Sequence, residues 1–364
     1  MPAIPAPPPD TADVIVAGAG LAGASVALAL SETRRVVLLD AAAPGAGASG
    51  AAAGLANPFT GRKARAGWRW AEAIDALDRL LDAADASPLL HRAGIVRPAH
   101  SERQAEAFAQ RAAEHPGDLE WWTGAATRER WPHVAAPHGA LFVRRGGHLD
   151  VGRLVEAAVD TAQARGVSVQ TRCALTGWRC ARGGVVAETE RGEVRARHLV
   201  LALGDGARQL TALAALPLVR VKGQTVTVAR PNALPAGHPA VAGRGYVVPG
   251  PASVVVGATF EHDFASAAPD PALDAGLVEA AARLVPALEG ARVLDRRAGV
   301  RLGVPASVSP RRLPYAGPLP GHPGVWVLTG LGSKGLLAAP LLASLLPAAL
   351  DGRAPMPPET RPPG

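Results

Sequence analysis

Residues 12–40, ADVIVAGAGLAGASVALALSETRRVVLLD, decide the fold. Asp13–Ala17 alternates little and is mostly apolar, as a buried parallel strand would be. Gly18, Gly20 and Gly23 follow in GxGxxG spacing and open an Ala-rich helix running to about Ser31. A second apolar run, Val36–Leu39, ends on Asp40. Each part has a physical task. Gly18 permits a tight turn out of the strand. Gly20, lacking Cβ, lets a pyrophosphate approach the backbone, and Gly23 lets the helix pack close to the strands. Free N–H groups at the helix N-terminus, Leu21 and Ala22 among them, face the phosphates together with the positive end of the helix dipole. Asp40 stands at the distance expected of an acid that binds a ribose hydroxyl. The pattern predicts a nucleotide-binding strand–turn–helix; the alternative is an Ala/Gly-rich core helix behind a turn.

Around this unit, 364 residues are enough for about two domains and a large core. Apolar residues make up 48% and charged residues 19%, which excludes a disordered chain. A formal net charge of +7 suits an anionic partner such as RNA, or reflects an Arg-heavy surface. Two cysteines, Cys173 and Cys180, are too few for a disulfide framework and point to a reducing cytoplasm. The ten histidines show no metal-ligand spacing, so no metal site is expected. Two apolar stretches, 14–30 and 324–350, read as buried strand–turn–helix units and not as membrane segments.

Residues 1–11, MPAIPAPPPDT, and 351–364 are Pro-rich and read as disordered tails. Residues 41–61 are small and nearly uncharged, able to press backbone against a flat ligand or a phosphate. In 62–70, RKARAGWRW, Arg62, Lys63, Arg65 and Arg69 lie beside Trp68 and Trp70. That run fits either a nucleic-acid patch or the first turns of a solvated helix continuing to about Ala86. A strand is expected at 93–98, a helix at 101–114, and irregular chain at 118–144. Asp150 should cap a helix at 151–165. A strand at 167–171 and a polar ribbon at 178–196 lead to a buried strand, His198–Leu203, that returns to the first sheet at Gly204. From 216 to 300, short strands at 218–229, 244–249 and 253–259 and a helix at about 272–288 read as an inserted antiparallel domain.

The chain resembles the D-amino-acid oxidase/glycine oxidase family of FAD-dependent oxidoreductases over nearly its whole length. The resemblance rests on four blocks: GAGLAG with Asp40; GASGAAAG at 47–54; GGHLDVGRLVEAAVDTAQARGV before a strand; and AGVRLGVPASVSPRRLPYAGPLPG followed by VWVLTGLGSKGLLAAPLLASLL. The last block is most similar to the C-terminal oxidase domain of the bifunctional tRNA 5-methylaminomethyl-2-thiouridine biosynthesis enzymes. The resemblance implies an α/β fold: a Rossmann-type FAD-binding domain from 12–90, 145–215 and 300–350, with an inserted antiparallel-sheet substrate domain, glycine oxidase-like, from 91–144 and 216–299. It implies non-covalent FAD held by Gly18, Gly20, Leu21, Ala22, Gly23, Asp40, Ala48, Ser49, Gly54, Leu55, Ala174, Gly204, Gly330, Gly332, Ser333, Lys334, Gly335 and Leu336. It implies that Arg301 grips a substrate carboxylate, for which a guanidinium fork is suited. Tyr246 would line the pocket, and Lys334 would add charge at the flavin or point to solvent. Arg311 stands where the family commonly carries an acid.

The implied activity is oxidation of the C–N bond of an amine bearing a carboxylate, by hydride transfer to flavin and hydrolysis of the imine, with the protein supplying orientation and electrostatics. The substrate is a free amino acid or N-alkylglycine, or an N-carboxymethyl amine on a tRNA wobble uridine. Two other readings remain open at this point: a nicotinamide-dependent dehydrogenase, and a non-catalytic nucleotide-bound module that binds RNA through Arg62–Arg69.

Overall fold

A computed structural model describes residues 8–235 and 237–364. The expected N-terminal tail lies outside the described residues for positions 1–7; at its end Thr11 already bridges Arg195.

Val14–Ala17 lies at the centre of a six-stranded sheet ordered Ser168–Gln170, Val36–Leu39, Val14–Ala17, His198–Leu201, Val325–Thr329, Tyr315–Pro318. The first five strands are parallel and the last is antiparallel. Strand side chains alternate between faces. Val14, Val16, Val36 and Leu38 pack on helices Leu21–Leu30, Trp70–Ala83, Val151–Ala164 and Gly335–Leu350. Ile15, Ala17, Val37 and Leu39 pack instead on the three-stranded sheet Leu175–Ala181, Gly184–Thr189, Gly192–Ala196. Both faces are covered, which is why these strands read as unbroken apolar runs.

The helices owe their placement to simple signals. Asp150 accepts the Arg153 N–H at 3.1 Å and starts the helix that buries Leu154, Val155, Ala158 and Val159. Leu154, Val155 and Val159 each contribute roughly 1.5–3 kcal/mol on burial. Helix Gly335–Leu350 belongs to a stretch with the length and hydropathy of a membrane span, yet half of that window is buried, and its inner face joins the same core.

The second sheet has eight strands, ordered Val293–Gly303, Val219–Ala229, Ser253–Gly257, Tyr246–Pro249, Ala240–Ala242, Ile95–Pro98, Ala140–Val143, Leu119–Trp122. It is antiparallel except where Ala240–Ala242 runs parallel to Ile95–Pro98, the seam between its two chain segments. Val293–Gly303 crosses the boundary expected at 299/300, so Arg301 belongs to this sheet.

Four local expectations are corrected. Residues 118–144 are not irregular: they form a strand, a helix capped by Thr123, and a second strand, with Trp122, Trp131 and Phe142 stacked together. The basic run does not open a helix. Phe59–Thr60 and Arg65–Ala66 form a hairpin, and the helix begins at Trp70. The helix expected at 272–288 is Asp274–Ala282 between two short 3-10 turns, because Pro286 stops it. Residues 351–364 are not loose: Met356 and Thr360 are buried, and the Thr360 hydroxyl donates to the Ala316 carbonyl at 3.2 Å.

Candidate functional site

The glycine turn is built so that no side chain fits it. A Cβ on Gly18, whose φ is +100°, would lie 2.4 Å from Ala202 O, and one on Gly23 would lie 1.7 Å from Gly18 O. Helix Leu21–Leu30 starts at Gly20 with no capping side chain on that residue and no acid in its first turn. Its leading N–H groups have no intrahelical acceptors, so they and the dipole ask for an outside anion. Ser49 Oγ reaches this point and accepts the Leu21 N–H at 3.0 Å. Asp40 braces the turn: one carboxylate oxygen accepts Ala19 N–H at 2.6 Å and the other Ala42 N–H at 2.8 Å.

Residues 41–54 run from this turn to the second sheet. Gly45 N–H donates to Ala19 O, and Gly54, at φ +67°, lies where a Cβ would be 1.7 Å from Leu149 O. Leu55 pairs with His148. At the far side Ala48 presses on Gly299, whose Cβ would be 2.7 Å from Ala48 Cα, and Arg297 donates to Gly50 O at 3.2 Å. Ala174 O accepts the Glu190 N–H at 3.2 Å while its own N–H donates to the Glu190 carboxylate at 3.3 Å, and Gly204, at φ +54°, faces open space.

The last turn closes the site from the other end of the chain. Gly330 and Gly332 take left-handed φ of +75° and +53°, leading through Ser333 and Lys334 into helix Gly335–Leu350, where Leu336 packs on the core. Leu331 bridges Gly303, two residues beyond Arg301. Helices Leu21–Leu30 and Gly335–Leu350 pack directly on each other. The helices that follow the glycine turn and the last turn therefore lie side by side, and the strand carrying Arg301 meets the last turn at Gly303 and the 47–54 loop at Gly299. The ammonium of exposed Lys334 donates to the Arg311 and Arg312 carbonyls. It clasps the 305–314 loop, and burial with nearby Arg312 lowers its pKa.

Arg301 and Tyr246 share the sheet face turned toward this cleft. Arg301 pairs with Val221 and leans across the neighbouring Gly223, whose Cβ would sit 2.3 Å from Arg301 Nη2. Its guanidinium ends 4.9 Å from the Phe260 ring centroid, with one long bond, 3.4 Å, to Thr259 O. Tyr246 likewise lies over a glycine: a Cβ on Gly257 would be 2.8 Å from the phenol oxygen. Burial pushes the Tyr246 pKa up to about 12, and Arg301 partly opposes this. Burial lowers the pKa of Arg301, with Tyr246 opposing. Among the described residues no carboxylate pairs with Arg301. A cation withdrawn from water without a counter-ion is costly, and the arrangement invites an anionic ligand.

Sequence reasoning missed Gly223, Gly257, Gly299, Thr259 and Phe260. Glycines inside strands were the available signal, since they mark close approach.

A basic edge adjoins the cleft. Buried Arg97 holds the 59–66 hairpin by donating to Phe59 O at 2.7 Å and Gly61 O at 2.6 Å, and Gln104 donates to Arg62 O at 2.9 Å. Arg62, Lys63 and Arg65 are exposed on it, whereas Arg69 pairs with Glu72. Trp68 and Trp70 pack inward, Trp70 on Phe59 at 5.0 Å. Gln104 also accepts His100 N–H, and His100 abuts the Gly243–Gly245 turn that carries exposed Arg244 and leads to Tyr246.

Comparison with known proteins fits this geometry. The profile of the FAD dependent oxidoreductase family matches residues 13–348. The tRNA 5-methylaminomethyl-2-thiouridine biosynthesis bifunctional protein MnmC of Maricaulis maris is 33% identical over 346 residues, covering 94% of this chain; the chain spans only 52% of that relative. Glycine oxidase of Pseudomonas putida is 29% identical over 363 residues, covering 94% of this chain and 95% of its own. Among solved structures, glycine oxidase from Geobacillus kaustophilus superposes with a TM-score of 0.84 at 23% identity, over 95% of this chain and 96% of its own. Iminodiacetate oxidase from Chelativorans superposes at 0.79 and 22%, over 96% of this chain and 98% of its own.

Proposed function

Since the chain belongs to the family of FAD dependent oxidoreductases, we propose that it oxidises the C–N bond of an amine whose carboxylate is gripped by Arg301. Family membership sets aside the nicotinamide-dependent and non-catalytic readings: the protein is an FAD-dependent enzyme of the class that acts on amine or amino-acid donors. The cradle fits the cofactor. Leu21 and Ala22 N–H groups and Ser49 would meet the pyrophosphate, the 47–54 loop would run beside it, and the 330–336 turn would face the ring. Bound there, FAD supplies the hydride acceptor.

The chain's own residues bind and orient. The Arg301 fork takes both carboxylate oxygens of an N-substituted glycine or amino acid. The Tyr246 phenol, neutral with its pKa at about 12, donates a second hydrogen bond to the same carboxylate. With the carboxylate fixed, the substrate nitrogen and its neighbouring C–H are held toward the 330–336 turn, and no dedicated acid–base pair is needed. The single observation that carries this reading is the half-buried cation of Arg301, with which no carboxylate of the described residues pairs. Turnover of glycine, sarcosine and proline, set against amines lacking the carboxylate, tests it.

A second reading, an N-carboxymethyl amine on tRNA, is favoured by one observation: the exposed Arg62, Lys63 and Arg65 on a hairpin anchored next to the cleft. Two unpaired cysteines suit a reducing cytoplasm, where such a substrate would be met. Bulk tRNA binding that weakens steeply with salt, and weakens again when all three residues become alanine, supports this branch. Undetectable binding with brisk turnover of free amino acids leaves the small-substrate branch.

A further inference from the structure

We propose that Phe260 is a positioning residue for the substrate carboxylate, holding and drying the Arg301 guanidinium; this rests on the reading of Arg301 given above. Phe260 is 63% exposed, more than Val219, Leu294 or Val308, the other exposed large apolar side chains among the described residues. Its place is nonetheless fixed. Thr259 N–H donates to Gln224 O and its hydroxyl accepts Gln224 N–H; Glu261 and Lys222 exchange backbone bonds, and buried Lys222 pairs with the Glu261 carboxylate at 3.4 Å. Ten residues on, the fully buried Gln224 amide clasps both backbone groups of Asp270 at 2.6 Å. Strand Val219–Ala229 thus pins both ends of the 259–270 segment.

That segment lays two rings on two arginines. Phe264 covers Arg220 at 4.8 Å, and Arg220 is also bound at its fork by Asp205, at 2.8 and 2.6 Å. The set is complete: cation, ring and carboxylate. Phe260 covers Arg301 at 4.9 Å, and there the carboxylate is missing. The parallel assigns the vacant place at Arg301 to a ligand carboxylate. It assigns to the ring the work of orienting the guanidinium and excluding water from one of its faces, where ion pairing then strengthens.

The experiment uses the FAD-loaded enzyme and acetate as probe, read from the perturbation of the flavin spectrum. Phe260→Ala should weaken acetate about tenfold, or about 1.4 kcal/mol, and raise KM for glycine in proportion with kcat within twofold. Phe260→Tyr should stay within threefold of wild type. Acetate bound equally well by Phe260→Ala overturns the proposal while Arg301→Ala still abolishes binding; binding unchanged in Arg301→Ala overturns the underlying reading instead. Should Phe260→Ala lose its flavin, Phe260→Leu decides: weak binding there beside normal binding in Phe260→Tyr supports the ring's role, and equal binding in the two overturns it.

Discussion

The Arg301 guanidinium lies over Gly223, so close that a Cβ at residue 223 would stand 2.3 Å from Nη2 and 2.9 Å from Cζ. The missing side chain on one strand is what lets the arginine of the next reach the cleft. Gly223→Ala should therefore displace the guanidinium without disturbing the strand. KM for a carboxylate substrate should rise on the order of tenfold, while flavin content and thermal stability stay near wild type. Steady-state kinetics with an absorbance measurement of bound flavin checks this, and unchanged KM would remove Gly223 from the site.

Gly23→Ala is the opposite kind of change. Its Cβ would meet a backbone carbonyl, Gly18 O, at 1.7 Å, and no flexible tip can yield. The turn must open, and the purified protein should be colourless or poorly saturated with flavin. A full complement of FAD in that variant would show that the turn is not the pyrophosphate seat.

Tyr246 keeps its proton well beyond neutral pH, because burial raises its pKa from the ordinary phenol value of 10 to about 12. It cannot be the group whose ionisation shapes activity between pH 6 and 10. Tyr246→Phe should lower kcat/KM about tenfold, the loss of one hydrogen bond to a charged group. The inflections of its pH profile should stay in place. A limb that vanishes with the hydroxyl would assign that limb to Tyr246.

His148 stacks on His91 with ring centroids 4.8 Å apart, and burial, then His91, lowers its pKa from 6.5 to about 4. The folded protein binds fewer protons here than the unfolded chain between those values. Stability from this group is present above pH 6.5 and is lost as pH falls toward 4, on the order of 3 kcal/mol in all. His148→Gln should flatten the fall in Tm across that window. An equally steep fall in the variant would place the acid sensitivity elsewhere.

Much of this was legible in the chain itself. GAGLAG between two apolar runs specifies strand, turn and helix because each glycine answers a steric demand, and 1.7 Å at Gly23 measures how strict that demand is. Arg301 and Tyr246 were visible only through the resemblance. Gly223 and Phe260 were not, since their importance depends on strand register: Arg301 pairs with Val221, and nothing local to 223 or 260 reveals the neighbour 40 to 80 residues away. Of the two readings of the basic run at 62–70, the helical one fails for a related reason. Its hairpin is held by Arg97 through tertiary hydrogen bonds to carbonyls, which override the helical pattern of the residues that follow.

In the proposed reaction a substrate carboxylate on Arg301 brings the amine to the flavin. Anaerobic bleaching of the bound flavin tests it most directly, with glycine and sarcosine set against methylamine in the wild type and in Arg301→Ala. Bleaching by the two carboxylates alone is expected, and its loss in Arg301→Ala with flavin content intact. Bleaching by methylamine at the same rate, or an Arg301→Ala enzyme reduced as readily as wild type, would contradict it.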